Sequence, residues 1–491
     1  MTNQPLPLES ANAVAYAWQQ LAYRAGVAAT DSDISDFESL GVSVHYADPE
    51  KVVHNGKAII ISPCKPSDWV GLLETQPDSL SWLSASNLLP DDHSPGELQR
   101  LPVLFWGKGV AKISGPVFEI DSRNRLVCHV DLIATTLFML TRWEETITLH
   151  RDERGRFPSW ASVASRQKFL HMPIVDLWAM VLKKWLMRLL PEWRPITRSF
   201  DVLLSHDMDE LIKYSTIQSG IHGIASAIFR RRSVHDALTA LKATINWRHD
   251  PFYQGIQKLM NISETYAFKS VFNFMTSSRG SLDAGYDITQ EPYLSILSEV
   301  QRRGHEIGFH PGYQAFSKED LLRNEKYALD KILGRKNYGC RQHYLLFQVP
   351  DTWRKFNNLE LRYDNSLTYE DQAGFRCGTC HPYRVFDMEQ RKTLQLVEIP
   401  LIVMEKTIFS HKRLNLSPEE GFRKIMSLAR SCRAVGGVFT MLWHNSTFFG
   451  DDLKWSWVYE NLIEALSKLS QSPQHTGDGN RLGHEPGYLN Y

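Results

Sequence analysis

The chain has 491 residues, 43% of them hydrophobic and 22% charged, with 55 Lys plus Arg against 55 Asp plus Glu. That composition supports a packed core and two or three domains, and the neutral balance gives no electrostatic reason to expect a nucleic-acid partner. The opening residues lack the basic-then-apolar pattern of a secretory leader, no run of about 18 apolar residues occurs, and six cysteines do not make a disulfide scaffold. The expectation is a cytoplasmic protein with no integral membrane segment and with reduced thiols.

Residues 1–195 read as a smaller α+β N-terminal domain whose role nothing in it specifies. Short strand-like runs occur at 57–62 and 101–105, helical patterns at 131–145 and 175–190, and a polar loop at 152–173. Residues 181–190 are basic and amphipathic and read as a surface helix first and a membrane-surface helix second.

From about 197 the rhythm changes to short apolar runs alternating with helical segments. Strands are expected at 201–205, 270–275, 305–310, 338–345, 361–364, 396–403 and 437–443. Helices are expected at 291–303, 317–333, 418–435 and 452–469. Such alternation argues for parallel strands in an α/β layer or barrel, with function on loops at the strands' carboxyl ends. An insert at 211–265 carries Arg230-Arg231-Arg232, which reads as a solvated helix end before a phosphate or acidic-polymer site. The insert could also cover an active site. Residues 471–491 are polar and rich in Gly, Pro and Asn, the composition of a disordered tail. The only close cysteine pair, Cys377 and Cys380, has no second pair and no redox context, so it reads as a structural loop.

Four polar clusters fall at the ends of expected strands. In Ser205-His206-Asp207-Met208-Asp209, residues two apart point the same way, so Asp207 and Asp209 share a face. One carboxylate could bind a metal while the other accepts a proton from water. In Gly304-His-Glu-Ile-Gly-Phe-His310, the last histidine sits where a ligand belongs, and His305, at the opposite end, reads as structural. In Arg341-Gln342-His343-Tyr344, the arginine could pair with a catalytic carboxylate, and His343 could serve as metal ligand or substrate donor. In Met441-Leu442-Trp443-His444-Asn445, His444 could protonate a leaving group, with Trp443 and Asn445 lining the cleft. Each cluster alone has a structural explanation, such as a helix cap, an ion pair or a buried histidine. Their coincidence on strand ends favours a site.

These clusters, in this order over 197–470, resemble the motifs of the polysaccharide deacetylase family. The second is the most specific match. The resemblance implies a distorted (β/α) barrel and a hydrolase that removes an N-acetyl or other acyl group from a sugar of a bacterial surface polysaccharide or its precursor. It would make Asp207 the base, Arg341 its orienting partner and His444 the acid. Asp209 and His310 would be ligands to a divalent metal, zinc first, with cobalt, nickel or iron as alternatives. The Tyr344 N–H would help hold the oxyanion.

The family's second metal-binding histidine falls at Gln314 here, and glutamine is a poor zinc ligand. His343, where the family has proline, could restore the set as Asp209, His310 and His343. Alternatively His206 enters the shell, or the metal is lost. A divergent bacterial branch of the family shares the His-Asp-x-Asp start, the Arg-x-His-Tyr motif and a segment like Phe375-Arg-Cys-Gly-Thr-Cys380, which reads as substrate-loop material. Rival functions are a metal-free amidohydrolase and an inactive glycan-binding barrel. The partner expected is a carbohydrate, and no oligomeric state is indicated.

Overall fold

The computed structural model describes residues 10–30, 35–89, 100–108, 117–230, 232–276, 280, 282–283 and 286–472. The expected tail lies outside them from residue 473 onward.

The first region holds a four-stranded sheet in the order β1-β2-β6-β5, from β1 (Ser43–Tyr46), β2 (Ala58–Ile61), β5 (Phe118–Ile120) and β6 (Arg125–Cys128), with β3 (Trp82–Ser84) and β4 (Arg100–Pro102) paired separately. Strand β2 reads Ala-Ile-Ile-Ile because both of its faces are covered. Helix Ile174–Leu189 packs on β6, and helices Ala11–Ala25 and Leu132–Leu140 pack against that helix and against each other. The helix expected at 131–145 is broken in two. Arg142 adopts φ 51, a left-handed conformation that turns its guanidinium onto Glu144 and Glu145 at 2.6 and 2.8 Å.

Among the described residues the second sheet has nine strands, in the order β12-β13-β11-β10-β9-β8-β7-β15-β14. They are β7 (Asp201–Met208), β8 (Val271–Phe274), β9 (Glu306–Phe309), β10 (Gly339–Cys340), β11 (Tyr363–Asp364), β12 (Tyr383–Asp387), β13 (Lys392–Glu398), β14 (Val403–Met404) and β15 (Val438–Leu442). All pairings are parallel except β12 with β13, an edge hairpin the sequence reading did not anticipate. The single strand expected at 396–403 is two pieces. Ile399 donates to Asp364 O at 2.9 Å and Ile402 to Thr440 O at 3.3 Å, so the chain crosses from one side of the sheet to the other within three residues. Three residues reach about 11 Å. A flat sheet would separate β13 from β14 by seven strand spacings, about 34 Å. The sheet is therefore rolled, which brings β13 and β14 close together.

The two regions share one apolar core. Segment 375–380 joins them. Arg376 forks onto Glu145 at 2.9 and 2.6 Å, and Asp176 accepts from Arg24, the Thr379 hydroxyl and the Cys380 N–H at 2.8, 2.6 and 2.9 Å. Phe375–Cys380 was expected to be substrate-loop material. It is instead buried against the first region, because its arginine finds its counter-charge there. Cys377 and Cys380 are buried, and burial pushes the Cys377 thiol up to about 12.

Candidate metal centre and active site

Strand register assembles the site. Asp207 pairs with Asn273, and Asn273 with Gly308, so the three lie in one row across β7, β8 and β9. Asp207 Oδ1 accepts from Asn273 Nδ2 and Arg341 Nη1, both at 2.9 Å. Arg341 also donates to Ser205 Oγ at 2.7 Å, to Asn365 O at 2.8 Å and to the Asn365 side chain. These partners leave Asp207 Oδ2 facing His310 Nε2 at 4.0 Å. A Cβ on Gly308 would fall 2.0 Å from Asn273 Oδ1, so the glycine of the second motif makes room for the amide that holds Asp207. Burial alone would raise the Asp207 carboxyl. The Arg341 charge, then His310 and His444, outweigh it and hold Asp207 below the usual carboxylate range.

Asp209, His310 and His343 offer ligand atoms that lie within 4.8 Å of one another. Asp209 Oδ1 is 3.1 Å from His310 Nε2 and 3.4 Å from His343 Nε2. Two ligands bonded at 2.0–2.1 Å to one tetrahedral ion sit about 3.4 Å apart, so the spacing fits a small divalent metal. The other ring nitrogens are anchored. His310 Nδ1 donates to Arg341 O at 2.5 Å, and His343 Nδ1 bonds Asp283 Oδ1 at 2.9 Å. Such outer partners fix the tautomer that presents Nε2 to a metal. Burial works against ionised Asp209, but His310, His444 and His343 overcome it and hold the carboxyl low. Asp209 is also the most open of the group, with a side chain 28% exposed where that of His310 is 2%. The site therefore opens over the Asp209, His310 and His343 cluster.

His444 faces the same space. Its Nδ1 bonds Glu405 Oε1 at 2.6 Å and its Nε2 lies 3.5 Å from Asp209 Oδ2. At the rim, Tyr344 is half-buried, 5.6 Å from Tyr313 edge to face, with the Arg154 guanidinium 4.2 Å over its ring. Arg156 donates to Tyr344 O at 2.9 Å. The first region thus touches the rim.

The structure brings Asp207, Asp209, His310, Arg341, His343 and His444 together, with Tyr344 beside them. It does not bring in three other residues. Trp443 is fully buried and donates to Thr447 Oγ1 at 2.7 Å, so it cannot line a cleft. Asn445 uses its amide on Glu210 O and Phe252 O at 2.9 and 3.1 Å, which makes it a brace between loops. His206 points to the opposite face of β7, bonds Trp443 O at 2.8 Å and is lowered to about 3 by burial, so it is no ligand. Gln314 is turned toward Lys318, whose ammonium it accepts at 3.0 Å. His305 lies at the far end of β9 against Glu264 at 3.3 Å. Sequence reasoning missed Asn273, Asp283, Asn365 and Glu405, which stand outside any motif.

Residues 37–191 match a family model described as a family of unknown function, DUF7033. No curated protein matches the chain. Among solved structures, the chain is similar to the "putative polysaccharide deacetylase from Mycobacterium smegmatis", at 16% identity and a TM-score of 0.37, over 56% of this chain and 86% of that one. Among the described residues no helix is long and apolar enough to cross a membrane.

Proposed function

We propose that the chain is a metal-dependent hydrolase of the polysaccharide deacetylase type, built on a distorted barrel, that removes an acyl group from an amino sugar. The observation that carries this reading is the Asp209, His310, His343 cluster with a buried, arginine-held carboxylate on one side and a carboxylate-held histidine on the other. A divalent metal held by the three, with zinc favoured by the nitrogen-rich donor set, would polarise the acyl carbonyl and acidify a water.

The residues then divide the proton work. Asp207, ionised through Arg341, takes the proton of the attacking water on Oδ2 as the water oxygen bonds the acyl carbon. His444, oriented by Glu405, gives a proton from Nε2 to the nitrogen as the C–N bond breaks, releasing carboxylate and amine. The Tyr344 N–H supports the oxyanion, and the half-buried ring of Tyr313 offers a sugar stacking surface. His343, in place of the histidine absent at 314, completes the ligand set.

The test is elemental analysis of protein purified without an affinity metal, together with acetate release from N-acetylated oligosaccharides before and after chelation. Near-stoichiometric metal and chelation-sensitive release are expected. Absence of both after reconstitution with zinc, cobalt, nickel or iron would refute the proposal.

A further inference from the structure

Between β7 and β8 the chain forms a helical hairpin, Ile217–Phe229 and Val234–Ile245, that the proposed chemistry does not use. Its packing places small residues inside. A Cβ on Gly220 would fall 2.0 Å from Thr244 Oγ1, and one on Gly223 2.2 Å from the Tyr214 ring. Ala227, Ala240 and Ala243 are buried. Apart from Ile224, which packs on this cluster, the large apolar side chains point outward. Ile217, Ile221 and Ile228 follow one helix face, and Val234, Leu238, Leu241 and Ile245 follow another at the i, i+4, i+7, i+11 spacing. Ile217, Phe229, Val234 and Ile245 are 72, 79, 75 and 79% exposed. The principal contacts of the two helices are with each other and with the turn Trp247–His249.

Small residues between helices with bulky ones outside is the arrangement of helices that meet lipid. Thirteen and twelve residues make helices about 20 and 18 Å long, too short for a bilayer core of about 30 Å. They can lie in its interface.

Charge selects the occupant. Residues 211–249 contain six basic side chains, Lys213, Arg230, Arg231, Arg232, Lys242 and Arg248, and one acid, Asp236, in a chain of zero net charge. Arg230 and Arg232 are exposed at the hairpin turn. A second copy would set this positive excess against itself. An anionic bilayer accepts both the apolar stripes and the arginines. We propose that the hairpin docks the protein on an anionic phospholipid surface. The hairpin leaves the sheet just beyond Asp209, and its base is pinned by Asp250, which accepts from the Lys213 and Tyr214 N–H groups at 2.9 Å each. Docking would therefore present the rim carrying the candidate site to glycans held at a membrane.

The experiment is flotation of the full chain with phosphatidylcholine vesicles, with and without phosphatidylglycerol. It includes the exposed double variants Leu238→Ser with Leu241→Ser and Arg230→Glu with Arg232→Glu, each checked for an unchanged melting temperature. Binding to the anionic vesicles is expected, falling about tenfold or more on neutral vesicles and in either variant. Failure of the wild type to float with anionic vesicles overturns the proposal, as does binding that both variants retain. Equal affinity for soluble polyphosphate that survives the leucine changes would assign the basic turn to an acidic polymer instead. Dimerisation lost in the leucine variant, without vesicle binding, would assign the stripes to a second copy. Vesicle binding is read without substrate, so its failure is distinguishable from failure of the hydrolase reading.

Discussion

Asp283 touches no expected metal position, yet it should control metal affinity through His343. Its Oδ1 lies 2.9 Å from His343 Nδ1 and also accepts the Tyr313 N–H at 2.8 Å. Asp283→Asn keeps an acceptor oxygen for both donors and removes only the charge that makes the imidazole a stronger ligand. Loss of such an outer partner typically weakens metal binding 10- to 100-fold, about 1.4–2.7 kcal/mol. His343→Ala removes the ligand itself and should weaken binding further. Because Asp283 acts through that ring, adding Asp283→Asn to His343→Ala should cost little more. The cycle should therefore return a coupling about equal to the single effect of Asp283→Asn. Zinc competition against a chromophoric chelator measures all four affinities, with circular dichroism confirming the fold. An Asp283→Asn effect that is absent, or that is the same with and without His343, would refute the replacement-ligand geometry.

Further outcomes follow from the same contacts. Asp207→Asn should retain bound metal while turnover falls by about 10²–10⁴, and full activity would remove Asp207 as the base. Gly308→Ala should displace the Asn273 amide from Asp207, lowering turnover about 10- to 100-fold with metal content unchanged. Glu145→Leu should destabilise the fold by about 3–5 kcal/mol, read as a lower melting temperature, because the guanidiniums of Arg142 and Arg376 would lose a shared buried counter-charge. His381 is lowered to about 4 by burial, with Nε2 3.1 Å from Val435 O. Below pH 6.5 the unfolded chain binds a proton that the folded chain refuses until about pH 4, so stability is lost as pH falls through that window. Between pH 7 and 5 the loss from this group is about 2 kcal/mol, and urea unfolding of His381→Gln should show a correspondingly flatter pH dependence.

How much of this was legible follows the range over which each signal acts. Strand ends announced themselves locally. Apolar runs such as Val202–Leu204 lead straight into Asp207, and Gly304 stops a helix just before β9, so the alternation and the polar clusters could be read in the chain. The break at Arg142 could not, because its cause, Glu145 shared with Arg376, lies 231 residues from its partner in sequence. The split between β13 and β14 escaped for a similar reason, since a periodicity count sees one apolar run where the rolled sheet needs two neighbours.

The same distinction explains the site. Residues facing the site fall two apart within short motifs, and strand geometry alone separates Asp207 and Asp209 from His206 once the face that carries the site is known. The residues that aim them do not cluster. Asn273, Asp283, Asn365 and Glu405 each sit alone on a different element, and only register or a folded loop brings each to its partner. Trp443 and Asn445 show the converse error. Adjacency to His444 suggested a cleft, but a strand that ends at Leu442 gives way to a turn whose side chains no longer share His444's direction. Trp443 fills the core beside Tyr459, with ring centroids 5.0 Å apart, and Asn445 ties two loops. A motif thus locates a site to within a strand end. The residues that hold its charges in place are found only through the contacts the fold makes, and their substitution distinguishes a working metal centre from a cluster of polar side chains.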